Sequence, residues 1–245
     1  MSFSLAGFVF FGTICSYNFH WFLTPPVQHT SVKLRWHVSM KTVHLIFYIV
    51  GIIGSVIFSL KLIEHWFWIG ITGFLTFLYS APKIPHPFFA KLKKIALGKT
   101  IFLAFAWAHV TALFPLVINL KTIDPAQIVY VINRTFLIYA ICIIFDYRDV
   151  EEDRRDGIRS LITLLDEKGI DRIFWVSIAI FDITLAYLFF TFDVLTITAL
   201  FIPGIIVALL YYPSKRNFSD YLYYFVLDGL MMLSAPLLLL FKFAR

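Results

Sequence analysis

An all-α bundle of membrane-spanning helices is the fold that this sequence predicts, and two observations carry the prediction. Of the 245 residues 60% are apolar and only 15% charged, with a mean hydropathy of +0.83, more apolar surface than a water-soluble domain can hide. The apolar residues also come in long runs bounded by charges, each near the roughly 20 residues that cross a bilayer. An open strand edge in hydrocarbon would leave backbone groups unpaired, and the alternating pattern of a transmembrane barrel is absent, so the runs read as helices. Eight such spans leave no room for a second, water-facing domain, so residues 1–245 read as one integral membrane domain.

The eight spans fall at about 3–23, 42–60, 66–81, 100–120, 127–147, 173–192, 195–212 and 221–241. No Lys or Arg precedes the first, so it reads as a retained span and not as a cleaved signal. The second lies between Lys41 and Lys61, and the third between Glu64 and Lys83. Lys99 and Lys121 bound the fourth; the fifth runs from Pro125 into an acidic segment that begins at Asp146. Arg172 and Asp193 bound the sixth, Asp193 and Lys215 the seventh, Asp220 and Lys242 the eighth. Cys15 and Cys142 both lie in apolar runs, which implies neither a disulfide framework nor redox chemistry.

Sixteen of the 21 Lys and Arg residues fall in the connections after spans one, three, five and seven. By the positive-inside rule those four connections are cytoplasmic and both termini lie on the other side. The formal charge of +6 is thereby explained by topology and by anionic lipid headgroups; dispersed over four loops, it does not build a nucleic-acid groove. A compact intramembrane chain of this kind fits a bacterial inner membrane.

Eight of the 15 acidic residues lie between Asp146 and Glu167. At about 100° per residue, Asp146, Asp149, Asp153 and Asp156 share an arc of roughly 80° on one helix face, while Arg148, Arg155 and Arg159 point elsewhere. Like charges that close raise a pKa or call in a cation, and oxygen-only ligands at a wet edge suit Mg²⁺, which keeps several waters and bridges to phosphates. A solvated helix end laced with pairs such as Glu151 with Arg155 is the alternative.

The segment DYRDVEEDRRDGIRSLITLL, residues 146–165, resembles the second aspartate-rich motif of the UbiA superfamily of intramembrane prenyltransferases. Asp146, Asp149, Asp153, Gly157 and the Thr163-Leu164 ending occupy the motif's places, with the ending stretched. Tyr79 within LYSAPKIP, followed by Lys93 and Lys99, is similar to the family's Tyr-plus-basic loop. The resemblance runs from about Phe10 to Asp228. It implies that two aspartate-rich helix ends hold Mg²⁺ and grip an isoprenoid diphosphate, whose allylic carbon loses diphosphate and is captured by a lipophilic acceptor. The ion and Lys or Arg side chains would neutralise the leaving group. The 19% of aromatic residues suits a cavity that stabilises an allylic cation, and equally the ordinary lining of a membrane bundle.

The family's first motif, N-D-x-x-D-x-x-x-D, is absent. With Asn18 in the motif's Asn position, Phe19, Phe22 and Pro26 stand where its carboxylates belong, and the first acid anywhere is Glu64. The family usually has nine spans, so the resemblance implies that its first helix is missing here. Asn18 and His20 could meet a diphosphate directly, as a neutral amide and an imidazole. Arg134, Asp182, Asp228 and His109 lie inside spans, where ionisable groups are costly and are expected to face a cavity or pair. Arg134 and Asp228 count among the candidate substrate-binding residues, with mutual pairing the favoured role for Arg134. No catalytic residue is assigned. Three readings stay open: a prenyltransferase, a terpene cyclase whose cation is quenched internally, and a non-catalytic membrane protein that binds an isoprenoid or quinone-like lipid.

Overall fold

The computed structural model describes residues 3–24, 39–84, 86, 89, 98–120, 122–155 and 161–243. They are helical, with no strand among the described residues. In chain order the helices are α1 (Phe3–Phe22), α2 (Lys41–Leu60), α3 (Trp66–Ser80), α4 (Gly98–Ala108), α5 (Phe114–Asn119), α6 (Pro125–Arg155), α7 (Leu161–Leu164), α8 (Glu167–Leu188), α9 (Val194–Ser214), α10 (Asp228–Met232) and α11 (Ser234–Phe243). Helix lies under all eight predicted runs.

Four of the described helical stretches are long and apolar enough to cross a membrane: Lys41–Leu60, Thr100–Asn119, Pro125–Glu151 and Val194–Ser214. A fifth span arises if Leu222–Met232 and Ser234–Phe243, bent by 54°, count as one. The bend has a local cause. Pro236 has no N–H for the carbonyl four residues back, and its ring crowds that turn. A π turn, His109–Leu113, joins α4 to α5, and a second, Leu222–Leu227, leads into α10.

Packing divides the chain into two compact units, Met1–Lys93 with Phe114–Lys121, and Lys94–Leu113 with Thr122–Arg245. In the first, α1 and α2 approach closely because α2 presents glycines. A Cβ on Gly51 would sit 2.5 Å from the Cys15 backbone nitrogen, and one on Gly54 would sit 2.2 Å from the Phe11 ring. Small residues let membrane helices gain van der Waals contact where no hydrophobic force separates protein from lipid tails. Leu5, Phe8, Leu62 and Phe114 form this unit's buried core.

The second unit is built around α6. Leu137, Ile138, Ala140, Ile141, Cys142, Ile143 and Ile144 are each 1% exposed or less, so this stretch of the helix is covered on every side. It packs against α4 and α8, and α8 in turn against α9. The Asn133 amide donates to the Phe181 carbonyl at 2.9 Å and the Thr184 hydroxyl at 3.0 Å, tying α6 to α8. The Phe174 and Tyr211 rings stack 3.7 Å apart between α8 and α9.

Candidate functional site

Helix α6 runs past its apolar core into the acidic segment without a break, so its last turns present carboxylates in helical register. Asp146 is 4% exposed and accepts a short hydrogen bond from the hydroxyl of Thr100, at the start of α4. A buried carboxylate is costly unless a donor meets it, and Thr100 is that donor. One turn on, Asp149 is partly exposed and accepts from Arg148 Nε at 2.8 Å. The Arg148 guanidinium lies over the rings of Tyr224 at 4.7 Å and Tyr223 at 4.8 Å, contributed by the π turn before α10. Asp153 lies in α6 one further turn along, but its side chain, the side chain of Lys99 and the whole of Lys93 lie outside the described residues.

A second cation stands near the same end of this unit, and nothing in the motif pointed to it. Lys215, just past α9, has its ammonium 5.0 Å from the Tyr147 ring centre and 4.8 Å from that of Tyr211. It also bonds Asp171 closely and reaches Glu167 at 3.4 Å. Tyr211 donates its hydroxyl to Asp171 at 2.6 Å. Burial pushes the Asp171 carboxyl up, but hydrogen bonds from Lys215 and Tyr211 outweigh it and hold the group below the ordinary carboxylate range. The signal in the sequence was the pairing of Tyr211-Tyr212-Pro213-Ser214-Lys215 with acids opening α8, which matters only once α8 and α9 are known to be neighbours.

In the first unit the structure gathers Asn18, His20 and Tyr79. Asn18 donates to the Ile14 carbonyl at 2.8 Å, and its oxygen lies 2.8 Å from Nδ1 of the buried His44 on α2. The His20 ring stacks on Tyr79 with centres 4.8 Å apart, and its Nδ1 comes within 3.5 Å of Ser80 Oγ. Lys83 donates to Thr24 Oγ1 at 2.7 Å and covers the Trp21 ring at 5.5 Å. His44 and Thr24 escaped the sequence reading because neither charge nor spacing singles them out, while Ser80 and Lys83 stood within LYSAPKIP without a role of their own.

The sequence profile of the UbiA prenyltransferase family matches residues 34–221, more than half of the chain. The chain belongs to that family. Comparison with curated proteins returned no match, and neither did comparison with solved structures. The match is narrower than the expected resemblance from Phe10 to Asp228, and α1, which carries Asn18 and His20, precedes it. Family membership and the apolar helices make this an integral membrane protein of the intramembrane prenyltransferase type, a family associated with isoprenoid substrates and a lipid environment.

Among the described residues no three His, Cys, Asp or Glu side chains come together as a metal cage. Asp146 is buried against Thr100, and Asp149 is the described motif carboxylate with an open edge. This donor set fits an ion such as Mg²⁺, which takes one or two protein carboxylates and completes its shell with water and phosphate oxygens. It does not fit a closed all-protein site.

The ionisable groups inside the spans behave differently from one another. Arg134 is buried and donates through Nη2 to the Met231 carbonyl at 2.7 Å, a main-chain partner three residues beyond Asp228. His109 is buried at the first residue of the α4–α5 π turn. Asp182, expected to face a cavity or to pair, is exposed on α8 and has no partner among the described residues. A small pocket of about 80 Å³, lined by Asp193, Leu195, Thr196, Leu238, Phe241 and Lys242, opens at the N-terminal end of α9. It is far from the C-terminal end of α9, which supplies Lys215, and too small for a prenyl diphosphate.

Proposed function

We propose that this family member binds an isoprenoid diphosphate at the acidic end of α6 and transfers its prenyl group to a lipophilic acceptor, releasing diphosphate. The observation that carries the reading is the arrangement at Asp149: a partly exposed carboxylate at a membrane helix end, with Arg148 beside it and Asp146 anchored beneath it by Thr100. Asp149 and Asp153 would hold Mg²⁺, with Asp146 fixing the helix end that presents them. When bound, the ion supplies positive charge to the diphosphate oxygens as the allylic C–O bond breaks. Arg148, held over two tyrosine rings, and the basic residues Lys93 and Lys99 would share the leaving charge. The bond pair leaves on the diphosphate oxygen; the acceptor supplies the pair for the new bond and gives up a proton. By the positive-inside rule this end faces the cytoplasm. Within the first unit taken by itself, Asn18, His20 and Tyr79, with Lys83, would offer hydrogen bonds and one positive charge to a phosphate group without an intervening ion.

A second reading, a non-catalytic isoprenoid-binding protein, is favoured by Phe19 and Phe22 where the family's first motif has acids, and by the Arg148–Asp149 pair. The test is diphosphate release from a prenyl diphosphate with Mg²⁺ by the purified full chain. The transferase reading expects release that depends on an added acceptor and that Asp149→Asn lowers about 100-fold, in line with loss of a transition-state charge partner. Release without acceptor would indicate a cyclase. Binding without release would establish the second reading.

A further inference from the structure

Asp182 is an exposed carboxylate half-way along α8, which packs against the membrane-crossing helix α9. Its depth follows from its neighbours. The residue before it, Phe181, packs on Gly204, where a Cβ would lie 2.2 Å from the ring. Gly204 is the midpoint of Val194–Ser214, a 21-residue helix apolar enough to cross a membrane. The Tyr211–Asp171 hydrogen bond fixes the other end of the α8–α9 pair in the same register. Asp182 is thus about 15 Å along α8 from Arg172, and Gly204 beside it is about 15 Å from either end of α9, at 1.5 Å per residue, close to the middle of a hydrocarbon core about 30 Å thick.

The face around it has the form of a helix-docking surface. Ser177, Ile178, Phe181, Leu185 and Leu188 are the buried face of α8. On the exposed face Asp182 is flanked by Ala179 and Ala186, one turn away on either side, and these are bordered by exposed Val176, Ile183, Tyr187 and Phe190. Small residues on such a face admit a second helix closely, and a polar group beside them binds it. Asp182 has no hydrogen bond or ion pair among the described residues. A lone intramembrane acid is costly and calls for a partner.

Among the described residues no cation stands where a second copy could offer it to Asp182. Arg134 and His109, the mid-span cationic residues among those described, are both buried, and the other described Lys, Arg and His residues lie near helix ends or in connections. We infer that the Ala179–Asp182–Ala186 face docks a transmembrane helix of a different protein, one that carries a lysine or arginine at mid-depth. Close approach at the two alanines brings that cation to the carboxylate and removes both charges from lipid.

Energy transfer in phosphatidylcholine vesicles tests this, with the full chain carrying a donor and synthetic polyleucine transmembrane peptides carrying an acceptor. A peptide with one central lysine should associate about fivefold more tightly than the all-leucine peptide, the scale of an interhelical polar contact in a bilayer. Asp182→Leu should abolish the difference. Ala186→Phe, which keeps the acid and fills the groove, should also reduce it, and it tests the face independently should Asp182→Leu fail to fold. Equal association of the two peptides with the wild-type chain would overturn the inference. So would transfer between differently labelled copies of the chain that Asp182→Leu removes and the lysine peptide cannot compete away, because the face would then serve a second copy.

Discussion

In the first unit the groups gathered near the end of α1 are neutral or cationic: Asn18, His20, His44, Thr24, Ser80 and Lys83. In the second unit the end of α6 is built on carboxylates, of which Asp146 is met by Thr100 and Asp149 by Arg148, with Lys215 serving Asp171 nearby. The difference shows two ways to make a membrane helix end polar. Neutral amides, hydroxyls and imidazoles satisfy one another locally, and Lys83 donates to Thr24 among them. Carboxylates need cations, so the second unit has to supply arginine and lysine held on tyrosine faces. On the proposed reading an anion would meet the first arrangement directly, and the second would place an ion between protein and phosphate.

The contrast can be broken at several points. Gly51→Leu should have the largest effect, because its Cβ meets the backbone of Cys15 and neither helix can yield; a loss of about 3 kcal/mol is expected from overpacking. Thermal unfolding in detergent measures it, and an unchanged midpoint would mean that α1 and α2 are not held by this contact. Thr100→Val leaves Asp146 buried without its hydroxyl and should cost about 2 kcal/mol, the scale of a hydrogen bond to a charged group. In a double-mutant cycle with Asp146→Asn, that cost should shrink; full additivity would remove Thr100 as the reason the acid is tolerated.

Lys215 sharpens the comparison through pH. Because the Asp171 carboxyl is held low in the folded chain, its contribution to stability is complete above the ordinary aspartate pKa of about 3.9 and is lost as pH falls through the lower folded value. Stability should therefore decline below about pH 4 in the wild type, and Lys215→Met should flatten that decline. An identical acid slope in both proteins would show that the lysine does not set the aspartate. The smallest effect belongs to the neutral cluster. Asn18→Ala should cost about 1 kcal/mol, and His20→Ala should weaken prenyl diphosphate binding about fivefold, as the loss of one neutral hydrogen bond would. Unchanged affinity in both variants would remove Asn18 and His20 from phosphate binding.

Much of the fold was legible because bilayer thickness and hydrophobicity act on one residue at a time. The runs bounded by Lys41 and Lys61, or by Asp193 and Lys215, became helices with nearly those limits. The departures are cooperative. The bend after Met232 follows from Pro236, but the π turns at His109 and Leu222 depend on packing that no periodicity reveals. The acidic stripe was legible for the same one-dimensional reason, since helical register alone aligns Asp146 with Asp149.

The sequence by itself determined that this chain is a bundle of membrane helices with an acidic motif at one helix end, because hydropathy, length and a 100° step are properties of a linear string. Only the tertiary structure decided what each ionisable side chain meets. Thr100 is 46 residues from Asp146, and Lys215 is 44 from Asp171, while Asp182 was left outward with no partner among the described residues. A charge in a membrane protein is stabilised by whatever lies within a few ångströms of it, and that distance is set by helix packing.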